Sequence, residues 1–194
     1  LAAQSARLNG PLADAPGGIF QQASTPDGKG VVYLAQQDSA TPELYLAPIG
    51  GGPGERISAP LAPGEGVYRF VLADDSRHVA YYVSGPEGLH LFGLSLLDRV
   101  VVELDASPDT DGRVLDDFGA GLFSPDGMRV LYRARVPSGE IRLYSAAVTG
   151  GPPALVSGAG GTSVQQASVT PDSTRAIFAA DLDLTSRFEL YQAL

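Results

Sequence analysis

The chain has 194 residues, of which 44% are hydrophobic and 18% charged, and it contains 24 glycines, 15 prolines and no cysteine. This composition is typical of one globular domain rich in tight turns, and it excludes disulfides, thiolate metal sites and a cysteine nucleophile. The net charge of −9 argues against nucleic acid and anionic membrane surfaces as partners, and no apolar run is long enough for a membrane-spanning helix.

Taken in chain order, the predicted elements form the same four-stranded unit again and again. In the first unit, a short run and a Pro-Asp-Gly turn precede the apolar run Val31-Val32-Tyr33-Leu34, which is followed by a Leu-Tyr run and by Arg56-Ile57-Ser58. Such β-branched and aromatic runs suit the strands of a half-buried sheet. In later units the second strand is predicted at Val79-Ala80-Tyr81-Tyr82, Val130-Leu131-Tyr132 and Ala176-Ile177-Phe178. No stretch has convincing helical periodicity.

Two markers define this repeat. The turn aspartates are Asp27, Asp75, Asp126 and Asp172, with spacings of 48, 51 and 46 residues. The second marker follows as Leu44-Tyr45, Leu91-Phe92, Leu143-Tyr144 and Leu190-Tyr191, with spacings of 47, 52 and 47. A four-stranded unit repeated at this period cannot bury both of its faces alone, so the pattern predicts an all-β protein, a β-propeller of four blades.

The markers resemble the TolB-like, or WD40-like "PD40", propeller repeat, which reads Ser-Pro-Asp-Gly, an apolar run, Leu-Tyr and a Gly-Gly turn. Pro125-Asp126-Gly127, Leu143-Tyr144 and Gly150-Gly151 fit this pattern, whereas the second repeat departs from it with Asp74-Asp75-Ser76. The resemblance covers nearly the whole chain and implies a propeller. It implies little about function, because such repeats occur in binding proteins and as non-catalytic domains of peptidases.

The two ends of the chain suggest how the ring closes. The last unit stops at Leu194 without a fourth strand, and Arg7-Leu8-Asn9 matches Arg56-Ile57-Ser58. We therefore expect one domain over 1–194, in which residues 5–9 pair with the strand ending at Leu194 and close the last blade. The repeat units are predicted at 10–58, 59–105, 106–157, and 158–194 plus 5–9. The alternatives are an open or paired half of a larger or dimeric eight-bladed propeller, and a different all-β solenoid.

Enzyme signatures are mostly absent from the sequence, which has no nucleophile elbow, P-loop or dinucleotide-binding motif. The two histidines are interpreted as a turn residue, His78, and a strand residue, His90, because they are too few for a histidine metal site. The turn aspartates are interpreted as structural groups that accept hydrogen bonds from nearby backbone amides.

One loop, from Glu103 to Asp117, has chemical character. Asp109 and Asp111, followed by Gly112, have the spacing that begins a calcium loop, although no glutamate follows at the distance that an EF-hand needs. One interpretation is a solvated acidic loop, and the other is a loop that binds calcium or a cationic partner, for which the candidate ligands are Asp109, Asp111, Asp116 and Asp117. No other cofactor is expected.

These patterns predict a non-catalytic binding or scaffold propeller whose ligand is unknown. The alternatives are a non-catalytic propeller domain of a larger peptidase-type enzyme and a repeat segment of a bacterial surface protein. An acidic excess on one face of the ring favours a protein or a small cationic ligand as partner. The protein is expected to be a monomer or homodimer, and its lack of cysteine fits a periplasmic or extracellular location.

Overall fold

Antiparallel strands and turns, with no helix, make up the part of the chain that the computed structural model describes, namely residues 5–13, 17–106, 113–115, 122–158, 160, 163–183 and 186–194. The first sheet contains β1 (Ile19–Ser24), β2 (Gly30–Ala35), β3 (Glu43–Pro48) and β4 (Glu55–Arg56). The second contains β5 (Gly66–Leu72), β6 (His78–Gly85), β7 (Gly88–Ser95) and β8 (Val101–Glu103). Within these residues, there is no helix that could span a membrane.

The third and fourth sheets depart from this regular pattern. The third contains β9 (Arg113–Leu115), β10 (Leu122–Phe123), β11 (Arg129–Arg135), β12 (Ile141–Ala147) and β13 (Ala154–Leu155). Both β9 and β10 pair with β11, at different points along it, and together they take the place of one first strand. Within the described residues, the fourth sheet contains three strands, β14 (Val164–Val169), β15 (Ala176–Ala180) and β16 (Glu189–Ala193).

The turn between the first two strands of each sheet forms as its sequence predicts. The residue after the turn aspartate takes a positive φ in every sheet, and it is Gly28, Ser76, Gly127 or Ser173. Asp27 Oδ1 accepts hydrogen bonds from Thr25 Oγ1 at 2.6 Å and from the Lys29 amide at 3.1 Å. The structural interpretation of these aspartates is therefore confirmed.

The hydrophobic core lies between successive sheets. One cluster joins the first sheet to the second, another joins the second to the third, and a third joins the third to the fourth. Each sheet also stacks an aromatic pair between its second and third strands, with ring centroids 5.4 to 5.8 Å apart. No core cluster of the described residues joins the fourth sheet to the first.

The predicted closure by the N-terminal segment is wrong for this structure. Residues 5–13 contain no strand, and β16 pairs only with β15 within the described part of the chain. The N-terminal segment lies instead on the first sheet, where the Gly10 amide donates to Gln37 and Leu8 packs against the core cluster that contains Tyr33 and Tyr45.

This position explains the sequence match that suggested closure. After the fourth strand of each of the first three sheets, one apolar residue shares a core cluster with the aromatic pair of the next sheet. These residues are Ile57, Leu104 and Val156. Leu8 packs in the same way on the cluster that contains the aromatic pair of the first sheet. The match therefore reflects packing against the following sheet, and not pairing with the last one.

Candidate functional site

The calcium ligands predicted from the sequence cannot be placed, because Asp109, Asp111, Asp116 and Asp117 lie outside the described residues. The first part of that segment is described, and it contains a buried acidic residue. Asp105 stands two residues after β8, and only 1% of its side chain is exposed.

Two other sheets have a serine at the position of Asp105. Ser58 and Ser157 each follow the fourth strand of their own sheet, and each is buried. The Leu44 amide donates to Ser58 Oγ at 3.3 Å, and the Leu143 amide donates to Ser157 Oγ at 3.1 Å. A small neutral hydroxyl therefore satisfies one strand amide in these two sheets, where the second sheet has a carboxylate.

Asp105 faces a histidine and a second carboxylate. His90 Nδ1 on β7 lies 3.4 Å from Asp105 Oδ2 and 3.7 Å from Glu103 Oε1 on β8. The three groups can each offer a ligand atom within 4.8 Å of the others. The pairing of β7 with β8 produces this cluster, because Phe92 lies opposite Glu103 and the register then brings His90 beside Asp105.

The environment of Asp105 is unfavourable for a charge. Burial raises the pKa of its carboxyl to about 6, and Glu103 adds to this shift, whereas the Leu91 amide and the His90 imidazole lower the pKa. No contact of its oxygens with another described residue reaches full hydrogen-bonding geometry, so the influence of the Leu91 amide comes from a poorly aligned contact. The buried Tyr132 hydroxyl also lacks such a partner within the described structure, and burial together with the Asp105 charge raises its pKa.

The cluster is reached from the surface on its histidine side. A depression of about 260 Å³ is lined by His90, Glu65 and Glu87, together with Pro63 and Pro86. His90 is 28% exposed and Glu103 is 48% exposed, so only Asp105 is enclosed. A small cation could therefore approach His90 from solvent through this depression, past the carboxylates of Glu65 and Glu87.

Sequence reasoning missed this cluster because it treated His90 as an isolated strand residue. The signal was present in the repeat alignment. Glu43 and Arg56 occupy the corresponding positions of the first sheet, where they form an ion pair of 2.9 Å. Aligning these positions would have placed His90 against Glu103 and Asp105.

His78 provides a contrast to His90. It begins β6, and its Nδ1 lies 2.6 Å from Asp75 Oδ2 in the preceding turn. That contact belongs to the turn, and among the described residues no second carboxylate joins it to form a cluster of three ligands.

Four successive antiparallel sheets of one repeat, packed face to face, define a β-propeller array, and the fold resembles that of TolB. The putative TolB of Agrobacterium tumefaciens is 14% identical, with a TM-score of 0.57 over 94% of this chain and 64% of that one. The TolB of Acinetobacter baumannii is 17% identical, with a TM-score of 0.50 over 90% of this chain and 40% of that one. The predicted TolB-like propeller repeat is thus confirmed as a fold.

Enzymes with this fold are also similar in structure. A prolyl endopeptidase is 13% identical, with a TM-score of 0.61 over 91% of this chain and 28% of that one. No family model and no curated protein matches the sequence. The chain spans about two thirds or less of the length of each of these three structures. Because the sequence identities are low, the likeness extends to the fold alone.

Proposed function

We propose that the chain is a non-catalytic binding or scaffold module whose last sheet is covered by another blade of the same repeat. The observation that carries this proposal is the exposure of Leu190. The equivalent residues Leu44, Leu91 and Leu143 are fully buried against the sheets that follow them, whereas Leu190 is 76% exposed. A leucine that is buried at every other junction supports a further blade at this position.

A polar group on the same face supports the same conclusion. In the first sheet, Gln21 Nε2 donates to the Phe70 carbonyl at 2.7 Å, and Gln21 Oε1 accepts from the Phe70 amide at 3.0 Å. This paired contact fixes the first strand of one sheet against the first strand of the next. Gln166 occupies the equivalent position of the fourth sheet, directly after the same irregularity in strand pairing, and it is exposed.

For the isolated chain, the occupant that we propose is the first sheet of a second copy. That sheet exposes Ile19, and Ile19 corresponds to Val67, which packs in the core between the first and second sheets. Residues 5–9 of the second copy would then lie beside β16, which is an edge strand of the described fourth sheet. Two such contacts related by twofold symmetry would close a ring of eight blades.

Measurement of the molar mass in solution over a concentration series tests this assembly. A dimer is expected, with a mass of twice 20.1 kDa. Leu190→Asp should give the monomer, because it places a charge in the proposed interface. The matched control is Leu97→Asp, since Leu97 is 84% exposed on a turn of the second sheet and should leave the dimer intact. A wild-type protein that stays monomeric at every concentration, or a dimer that survives Leu190→Asp, would overturn the second copy as occupant.

The non-catalytic role is tested separately, by peptidase and glycosidase assays of the purified chain. We expect no turnover, and a rate that one polar substitution abolishes would contradict the proposal. A protein or a small cationic ligand remains the proposed class of partner, because the net charge of −9 favours cations electrostatically. The periplasmic or extracellular location also remains part of the proposal.

A further inference from the structure

We propose that His90, Glu103 and Asp105 form a binding site for a divalent transition-metal ion such as Zn²⁺. The geometry of the three ligand atoms is the first argument. Two ligands bound at the usual 2.0–2.2 Å around a tetrahedral zinc are about 3.4 Å apart. The measured separations from His90 Nδ1 are 3.4 Å to Asp105 Oδ2 and 3.7 Å to Glu103 Oε1. All three ligand atoms lie within 4.8 Å of one another, so the side chains need only close in around an ion to bind it.

The buried carboxylate of Asp105 provides a second, independent argument. Its side chain is 99% enclosed, Oδ2 lies 3.4 Å from His90 Nδ1, and no contact of its oxygens reaches full hydrogen-bonding geometry within the described structure, although the Leu91 amide is near enough to lower its pKa. Buried polar groups are nearly always satisfied, and a carboxylate without such bonds is costly to enclose. The serines at the same position of the first and third sheets are satisfied by one backbone amide each. A metal ion would bind this buried carboxylate more strongly than the poorly aligned contacts with His90 and the Leu91 amide do.

The mixed ligand set indicates the class of ion. One imidazole nitrogen and two carboxylate oxygens suit zinc and similar transition metals, whereas calcium and magnesium prefer oxygen ligands alone. The site therefore differs in chemistry from the calcium loop predicted at Asp109 and Asp111. The depression lined by Glu65 and Glu87 gives the ion a negatively charged approach to His90.

Titration of the metal-free protein with Zn²⁺ and Co²⁺ tests the site. Zinc is expected to bind with one equivalent per chain and to raise the melting temperature, because it binds the folded state. Cobalt should give the visible absorption of a four-coordinate ion. Substitution of outer-shell partners of bound metals costs about 10–100-fold in affinity, so His90→Gln and Glu103→Gln should each weaken zinc binding by about 100-fold or more.

Two control variants make the result specific. His78→Gln removes the other histidine, which also contacts a carboxylate, and should leave zinc affinity unchanged. Asp109→Asn combined with Asp111→Asn removes charge from the neighbouring segment and should have little effect. Glu103 is half exposed, so Glu103→Gln remains informative even if a buried substitution prevents folding. Absence of zinc binding, or binding that is insensitive to both His90→Gln and Glu103→Gln, would overturn the proposal.

Discussion

The junction between the second and third sheets differs from the junctions on either side of it. At both neighbouring junctions, a buried serine after the fourth strand accepts a hydrogen bond from the third strand. At the middle junction, Asp105 takes that position and faces His90. The same backbone position therefore holds either a neutral group that completes the sheet or a charge that needs a partner. The repeat provides the fold, and one substitution within it provides a candidate site.

The turns at the opposite ends of these junctions also distinguish the middle junction from its two neighbours. The Asp27 amide donates to Ser76 Oγ at 2.9 Å, and the Asp126 amide donates to Ser173 Oγ at 3.0 Å, so each pair of turns is linked. Between the second and third sheets, Gly127 occupies the serine position, and a Cβ there would lie 2.6 Å from Asp75 Oδ2. The middle junction thus lacks the regular turn contact as well as the regular serine.

The largest effect on stability is expected when the aspartate of the middle junction is introduced at the equivalent position of the next junction. Ser157→Asp would bury a carboxylate without a histidine beside it, and this should lower the free energy of unfolding by about 3–5 kcal/mol. Ser157→Ala, which removes one hydrogen bond, should cost about 1 kcal/mol. Denaturant unfolding of the two variants measures the difference. Equal effects from both substitutions would mean that the position tolerates charge and that Asp105 needs no special partner.

A smaller effect should distinguish the middle junction from the N-terminal segment. Leu104 is fully buried among Tyr132, Tyr144 and their neighbours, so Leu104→Ala should cost about 2–4 kcal/mol by creating a cavity. Leu8 packs on the equivalent aromatic pair but is only partly buried, and Leu8→Ala should cost less. Thermal unfolding of both variants tests the order. A larger loss for Leu8→Ala would indicate that the N-terminal segment is a principal part of the fold.

How much of this structure can be predicted from the sequence depends on how far apart in the sequence the interacting residues are. The turn at Asp27 is recognisable because its hydrogen bonds connect residues two to five positions apart. The match at Leu8 was also recognised, but its partner was assigned wrongly, since a sequence repeat does not specify which sheet a segment covers. The Leu190 exposure could not be predicted, because burial of this residue depends on a sheet that follows it.

The candidate site was only partly predictable for a related reason. Composition drew attention to the acidic segment from Glu103 onward, and Asp105 lies within it. His90 is fifteen residues from Asp105 and was overlooked, because their proximity depends on the register of β7 and β8. The corresponding ion pair of Glu43 and Arg56 shows that comparison of repeats, position by position, would have revealed the cross-strand contact.

The reverse substitution, made at the middle junction, should modestly raise the free energy of unfolding. Asp105→Ser restores the residue of the neighbouring junctions and removes a buried charge, so it should stabilise the metal-free protein by about 1–2 kcal/mol at neutral pH. The same variant should no longer be stabilised by zinc. Denaturant unfolding with and without zinc measures both effects. Asp105→Ala provides the control, since it removes the charge without supplying a hydroxyl for the Leu91 amide.

The smallest effect concerns the turns at the other end of each junction. The pKa values of Asp27, Asp126 and Asp172 are lowered, chiefly by hydroxyl donors from Thr25, Ser124 and Thr170. A folded-state pKa below the unfolded value means that the unfolded state binds more protons. These groups therefore contribute stability above the unfolded pKa of 3.8, and the contribution is lost as the pH falls through the lower folded value.

Removal of one hydroxyl donor tests this dependence. Ser124→Ala should move the pKa of Asp126 back toward 3.8, as measured by carbon NMR of its carboxyl. It should also flatten the loss of stability below pH 4, although only slightly, because the carboxyl is exposed to solvent. Ser84→Ala is the control, since Ser84 is an exposed serine whose hydroxyl donates to the Gly66 carbonyl. If the pKa of Asp126 stays lowered in Ser124→Ala, the Met128 amide, which donates to the same oxygen at 3.0 Å, dominates instead. The turn would then be stabilised mainly by its backbone, and the hydroxyl would be secondary.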